Sequence, residues 1–197
     1  MQYRINIPDW LDGPLIRLAL LYRRLRYGYP FRRIPLTQGK YAIVDPDDYE
    51  RLNNYKWYAA RCKNTCYAGR HTKTGKDGKR IYIKMHRVVL KPPRGLIIDH
   101  INRNGLDNRK ANLRIVTHAQ NILNRPYIKR PNSPSKYKGV TWHKPQRKWN
   151  VQICYNGIHK NVGYFHDEIE AAKAYDVAAR KYHKDFAVLN FPNPRSS

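Results

Sequence analysis

Acidic residues and cysteine are both scarce in this sequence. Among 197 residues there are 14 Asp and Glu against 39 Lys and Arg, a formal net charge of +25 and a pI near 10.2. Between Asp107 and Asp167 no acidic residue occurs at all, while the same span holds twelve Lys and Arg, from Arg109 to Lys160. A chain this one-sided repels itself when compact unless a polyanion neutralises it, so a nucleic acid is the expected partner. An anionic membrane surface or an acidic protein would also answer the charge.

The three cysteines, Cys62, Cys66 and Cys154, are too few and too odd in number for a disulfide framework. Cys62 and Cys66 stand four apart with His71 nearby, but no second Cys/His pair follows at zinc-finger spacing. Reduced thiols are the expectation. A long apolar run is missing too. Residues 15–27 (LIRLALLYRRLRY) are broken by Arg17 and followed by Arg23, Arg24 and Arg26, with no small-residue cleavage site after them. That segment reads as a basic amphipathic helix, lying on DNA or presenting a solvated face, and no membrane partner is expected. Without an export signal, the expected location is the cytoplasm.

What is present falls into parts. Residues 1–34 form a basic N-terminal helical segment. Residues 35–125 carry strand-like pieces at 41–44, 55–60 and 81–90, with a Gly- and Lys-rich turn at 74–79, and turn helical after Thr117. Residues 126–135 (PYIKRPNSPS) hold three prolines and read as a linker. Residues 136–194 read as three strands and a helix. In Lys148–Tyr155 the residues Trp149, Val151, Ile153 and Tyr155 alternate with Lys148, Asn150, Gln152 and Cys154, which gives one apolar and one polar face. Asn156-Gly157 is a type I′ turn pair leading into a strand at Ile158–Phe165. Asp167 is a good N-cap for a helix over Glu168–His183, whose alanines at 171, 172, 174, 178 and 179 allow it to lie close on the apolar sheet face. The expected class is α+β.

The segment richest in chemistry begins at Gly95. An apolar run, 96–98, delivers Asp99 and His100 at a strand end. An Asn/Gly/Asp-rich loop follows through Asp107 to Arg109, then Asn112, then a helix after Thr117 that carries His118 and Asn121. Phosphodiester hydrolysis needs an activated water and compensation of charge on the phosphate and the leaving oxygen. A histidine of near-neutral pKa can take the water's proton, and a hard divalent cation can clamp the phosphate. Magnesium keeps several waters, so one carboxylate and one amide carbonyl suffice as protein ligands; Asp99 and Asn121 are the candidates. In an extended backbone His100 projects to the side opposite Asp99, beside the metal rather than on it.

Met85-His86-Arg87 together with residues 99–124 resembles the HNH endonuclease family, in its phage and bacterial, homing-endonuclease-like branch. The resemblance implies a ββα-metal nuclease unit holding one divalent metal, Mg²⁺ or alternatively Mn²⁺. It makes Asp99 and Asn121 the metal ligands, His100 the general base, and Asn112 the residue that fixes the loop and orients His100. The family often has histidine at the last position. Here Asn121 stands there with His118 one turn earlier, and either could face the metal.

Residues 136–192, with Tyr137-Lys138-Gly139-Val140, Gly163-Tyr164-Phe165 and Leu189-Asn190-Phe191-Pro192, resemble the AP2/ERF DNA-binding domain. Members lay their sheet in the major groove of double-stranded DNA. By matched position the DNA face includes Lys138, Thr141, Lys148, Gln152, His159, Asn161 and Tyr164. The arginines and second tryptophan of the plant pattern are replaced by residues such as Thr141, Cys154 and Asn161, so the target sequence is not transferable. The expectation is thus a metal-dependent DNA endonuclease targeted by an AP2-like module, in a bacterial or phage-infected host cell. The rival is a non-catalytic DNA-binding regulator with a degenerate HNH unit; a third class is an RNA-binding protein.

Overall fold

A computed structural model describes residues 14–61, 65–72, 78–124 and 133–192. The chain divides into two compact units, Met1–Val116 and Thr117–Ser197. Most of the linker read at 126–135, most of the turn read at 74–79, and Cys62 lie outside the described residues. No helix among the described residues is long and apolar enough to cross a membrane.

The first unit opens with α1 (Pro14–Tyr27), which turns Ala19 and Arg23, four residues apart and so on one helical face, inward. Arg23 is buried because its Nη1 donates to the Phe31 carbonyl at 2.7 Å. Gly28, at φ 83°, returns its N–H to the Arg24 carbonyl and ends the helix in a left-handed cap. The chain then forms a hairpin, β1 (Arg32–Pro35) against β2 (Tyr41–Val44), whose alternation places Ile34, Ala42 and Val44 in the core. Residues 32–34, assigned by sequence to the N-terminal segment, are therefore the first strand of this unit.

Pro46 starts α2 (Pro46–Asn53) after Asp45, and the helix adds Tyr49 and Leu52 to the core. Trp57 is also core, its Nε1 donating to the Leu52 carbonyl at 2.7 Å. A three-stranded antiparallel meander follows: β3 (Tyr58–Arg61), β4 (Cys66–His71) and β5 (Tyr82–Lys84). Residues 81–90 read as one strand in the sequence, but only Tyr82–Lys84 is strand. Met85–Leu90 is a helix, α3, with Met85, His86 and Val89 buried. Short aliphatic runs satisfy either period, and here burial at i, i+1 and i+4 decides for the helix. Lys91, at φ 46°, caps it before Pro92-Pro93. The unit closes with the antiparallel hairpin β6 (Ile97–His100) and β7 (Leu113–Val116), the latter entered through a 3-10 turn at Lys110–Asn112.

The second unit begins with α4 (His118–Leu123). Thr117 and Gln120 form a reciprocal capping box: Gln120 N donates to Thr117 Oγ1 at 3.2 Å and Thr117 N donates to Gln120 Oε1 at 2.9 Å. Then come β8 (Val140–His143), β9 (Lys148–Tyr155) and β10 (Ile158–Phe165) in the antiparallel order β10-β9-β8, followed by α5 (Glu168–His183). Asp167 Oδ1 accepts from the N–H groups of Ile169 and Glu170, both at 2.8 Å, as its N-cap position requires. Val140, Val151 and Ile153 from the sheet pack on Ala171, Ala172, Tyr175, Ala178 and Ala179 of α5. Small alanines bring the helix near the sheet. At Gly139 a Cβ would lie 2.1 Å from the Tyr175 ring, so only glycine fits there. Asp176 ties down the chain end by accepting from the N–H groups of Asn190 and Phe191 at 2.7 and 2.8 Å.

Candidate functional site

Asp99 and His100 are the last two residues of β6, and both are buried. Consecutive strand residues project to opposite faces, and the two meet different partners. Asp99 pairs across the hairpin with Arg114, whose Nε and Nη2 lie 2.9 and 2.8 Å from Asp99 Oδ2. His100 pairs with Leu113 and enters an aromatic pocket. Its ring centroid lies 5.1 Å from that of His86, edge to face, and 5.7 Å from that of Tyr67. Tyr67 also sits edge-on to His86 at 5.6 Å, with the Lys84 ammonium 5.0 Å from the Tyr67 ring centre. Burial holds the His100 pKa below the ordinary value for imidazole; the Asn108 side chain and the negative charges of Asp99 and Asp107 oppose that shift, and the positive charge of Lys84 adds to it. The uncharged imidazole, the form able to accept a proton, is thus favoured at neutral pH. His86 is pushed lower still, to about 3, by burial and then by the charges of His100, Lys84 and Arg87.

The loop between the strands is set by its amides. The Asn112 side chain accepts from the Asn102 N–H at 3.0 Å and donates from Nδ2 to Asn102 Oδ1 at 2.9 Å and to the Asp107 carbonyl at 2.8 Å. Its carbonyl takes the Ile101 N–H at 2.9 Å, and the His100 carbonyl takes the Arg103 N–H at the same distance. Asn112 therefore fixes the turn immediately after His100. Asp107, itself buried, receives Asn102 Nδ2 at 2.9 Å and a two-pronged contact from Arg109, Nε to Oδ1 at 2.8 Å and Nη2 to Oδ2 at 2.6 Å. The Arg109 guanidinium lies 3.4 Å from the centre of the Tyr29 ring. The loop is stitched to β2 by Ile43 N to the Leu106 carbonyl at 2.8 Å and Asn108 N to the Ile43 carbonyl at 2.7 Å. At Gly105 a Cβ would stand 2.5 Å from the Cys66 carbonyl, so the glycine is what lets the loop lie on β4.

His118 and Asn121 belong to the second unit. Three residues apart, they share one face of α4. The neighbouring residues Ala119, Gln120, Ile122 and Leu123 instead line a cleft with Tyr155, Tyr182 and Phe186. Among the described residues no three His, Cys, Asp or Glu side chains gather as a metal site.

Residues 85–123 match the HNH endonuclease family. The HNH segment so matched takes in α3, the β6–β7 hairpin and α4. Over 164 residues the chain is 26% identical to an uncharacterized HNH endonuclease of Acanthamoeba polyphaga mimivirus, covering 78% of this chain and 76% of the viral protein. Over the C-terminal part there is similarity to AP2/ERF domain proteins. A rice protein (Oryza sativa subsp. japonica) containing AP2/ERF and B3 domains is 38% identical over 76 residues, 39% of this chain and 20% of the rice protein. An AP2-like ethylene-responsive transcription factor of Arabidopsis thaliana is 44% identical over 59 residues, 29% of this chain and 12% of the plant protein.

The AP2-like sheet turns one face to α5 and leaves the other open. Cross-strand pairs on the open face are Thr141 with Asn150, Asn150 with Tyr164, Gln152 with Asn161, and Cys154 with His159. A bulge between Asn161 and Gly163 shifts the alternation by one, which is why Tyr164 joins His159 and Asn161. Thr141, Lys148, Gln152, His159, Asn161 and Tyr164 thus share this face. Lys138 lies ahead of β8, with its Nζ 3.3 Å from the Leu123 carbonyl. Asn150 lies on the polar face, as the alternation implies, yet it is buried, since it sits mid-sheet between Thr141 and Tyr164.

Sequence reading did not find Arg114 on Asp99, the Asp107–Arg109 pair, or the Tyr67–His86 walls around His100. The first followed from hairpin register alone: two strands closing on the 100–113 loop set 99 opposite 114. The other two join residues distant in the chain or rely on a turn whose geometry no periodicity encodes.

Proposed function

We propose that this chain is a metal-dependent DNA endonuclease that hydrolyses phosphodiester bonds, targeted by its AP2-like module. The observation that carries the reading is His100: inside the HNH-matched segment, it is buried, biased to its uncharged form, and adjacent to Asp99. In this reading β6, β7 and α4 supply the strand–strand–helix order of a ββα-metal unit. Asp99 and Asn121 offer a carboxylate and an amide oxygen, hard donors suited to Mg²⁺ or Mn²⁺. The bound cation would offset charge on the phosphate and the 3′ leaving oxygen. An imidazole nitrogen of His100 takes the proton of the attacking water, and Asn112 holds the turn that aims His100. The partner is double-stranded DNA, met by Thr141, Lys148, Gln152, His159, Asn161 and Tyr164 on the open sheet face and by Lys138 at its margin. The proposed organisation is a basic N-terminal segment ending ahead of β1, a nuclease domain from β1 to residue 125, a linker at 126–135 and the DNA-binding domain at 136–194, working in the cytoplasm of a bacterial or phage-infected host cell. Two DNA contacts on one chain raise the local concentration of each for the other.

The buried Asp99–Arg114 pair favours a second reading, a DNA-binding regulator without chemistry, because an ion pair also accounts for a buried carboxylate. Incubating purified protein with supercoiled plasmid and Mg²⁺ or Mn²⁺, with and without EDTA, separates the two. Nicking that EDTA abolishes supports the enzyme. Binding without cutting in any metal supports the regulator, and tighter binding to RNA than to duplex would replace both.

A further inference from the structure

His86 belongs to no part of the chemistry assigned above, yet it is 5% exposed and stands in direct ring contact with His100. It enters the core at the start of α3, a helix placed by buried Met85 and Val89, so its position is fixed by packing on both sides along the chain. Its Nδ1 is buried with no hydrogen-bond partner among the described residues. The two other rings in the pocket complete an enclosure: Tyr67 is 5.6 Å from His86 and 5.7 Å from His100, and Gly105 lets the Tyr67 ring approach the loop, where a Cβ would come within 2.7 Å of it. His86 stands edge to face on both Tyr67 and His100, while Tyr67 is tilted at 51° to His100, and rings packed in this way resist rotation of the enclosed ring.

We propose that His86 is a positioning residue, whose ring, with Tyr67 as the second wall, sets the orientation of the His100 imidazole for proton transfer. The proposal rests on the endonuclease reading for its function but on the ring packing for its geometry. A base must reach hydrogen-bond distance of the water it activates in one alignment, and a small rotation of the imidazole costs rate without costing affinity. Burial keeps His86 itself uncharged, with a pKa of about 3, so it adds no cation beside the base.

The test compares His86→Phe, which keeps a flat ring, with His86→Leu, which fills the volume without one. Both are made in the full chain, and denaturation curves check that each folds. Single-turnover plasmid nicking and duplex affinity are measured with Mg²⁺, and the His100 ring ¹⁵N–¹H correlations are recorded without metal or DNA. Expected are a nicking rate at least tenfold lower in His86→Leu with Kd within twofold of wild type, recovery to within threefold of wild type in His86→Phe, and displaced His100 ring resonances only in His86→Leu. Equal loss in both variants would overturn the proposal, because it would assign the role to a His86 nitrogen. Wild-type rates in both would overturn it as well. Should the wild-type protein fail to nick DNA, the endonuclease reading falls by itself, and unchanged His100 resonances in His86→Leu would then separately refute the packing role.

Discussion

Arg114 holds Asp99 across the β6–β7 hairpin, with two guanidinium nitrogens at 2.9 and 2.8 Å from one carboxylate oxygen, in a place where neither side chain is more than 16% exposed. A buried pair of this kind adds little net stability when intact, but removing one member leaves the other charged and desolvated. Arg114→Leu is therefore expected to destabilise the protein by about 3 kcal/mol, within the range for breaking such pairs. Urea unfolding reads this directly. A loss below about 0.5 kcal/mol, the scale of surface pairs, would mean that the Asp99 carboxylate is stabilised by other means.

Asn112 should matter more for the loop than for the core. Its side chain makes three hydrogen bonds with Asn102 and Asp107, so Asn112→Ala strands the Asn102 N–H and the Asp107 carbonyl, while Asn102 Oδ1 keeps the Asn104 N–H. A cost of about 2–4 kcal/mol in denaturant unfolding is expected for partners stranded in this way. In the endonuclease reading, nicking also falls more than tenfold. Retained nicking at the wild-type rate would remove Asn112 from the alignment of His100.

Acid should unfold the first unit partly through His86. Its folded pKa, about 3, lies below the 6.5 of an unperturbed imidazole, so between those values the unfolded chain binds the extra proton. The stability contributed by keeping His86 uncharged is therefore complete above pH 6.5 and is lost progressively as pH falls toward 3. His86→Phe has no imidazole to titrate, and its stability should vary less steeply with pH across that window. Unfolding midpoints measured from pH 7 to pH 4 check this, and parallel profiles for the two proteins would contradict it.

The open sheet face should be read by salt. If Lys148 meets phosphate, Lys148→Ala should weaken duplex binding about equally across sequences and reduce the slope of log K against log salt by about 1. Gln152→Ala, an uncharged neighbour on the same face, should leave that slope unchanged. Titrations at several salt concentrations distinguish these outcomes, and an unchanged slope in Lys148→Ala would place the phosphate contacts elsewhere.

Much of the second unit was legible in the sequence because its signals are local and agree with one another. Strict alternation over Lys148–Tyr155, the Asn156-Gly157 turn and the Asp167 cap gave the limits of β9, β10 and α5 that the structure has. Asn150 keeps its place in the alternation yet is buried, because burial in mid-sheet depends on neighbours in two other strands. The Thr117 cap at the start of the second unit and the Asp99–His100 strand end in the first were equally readable. The Met85–Leu90 helix was not, since six apolar and basic residues fit either period and tertiary burial decides between them. The walls around His100 come from β4 and α3, at sequence separations of 33 and 14 residues for Tyr67 and His86, and no pattern within one segment encodes such a meeting.

Single-turnover conversion of supercoiled plasmid to nicked circles, started by adding Mg²⁺ to preformed complexes of wild-type protein or His100→Ala, tests the central claim most directly. The account predicts that both proteins bind the plasmid alike and that only the wild type nicks it, with His100→Ala slower by roughly 10²-fold or more, as expected for loss of a general base. Equal nicking by the two proteins would contradict it, as would tight binding by the wild type with no cleavage in any divalent metal.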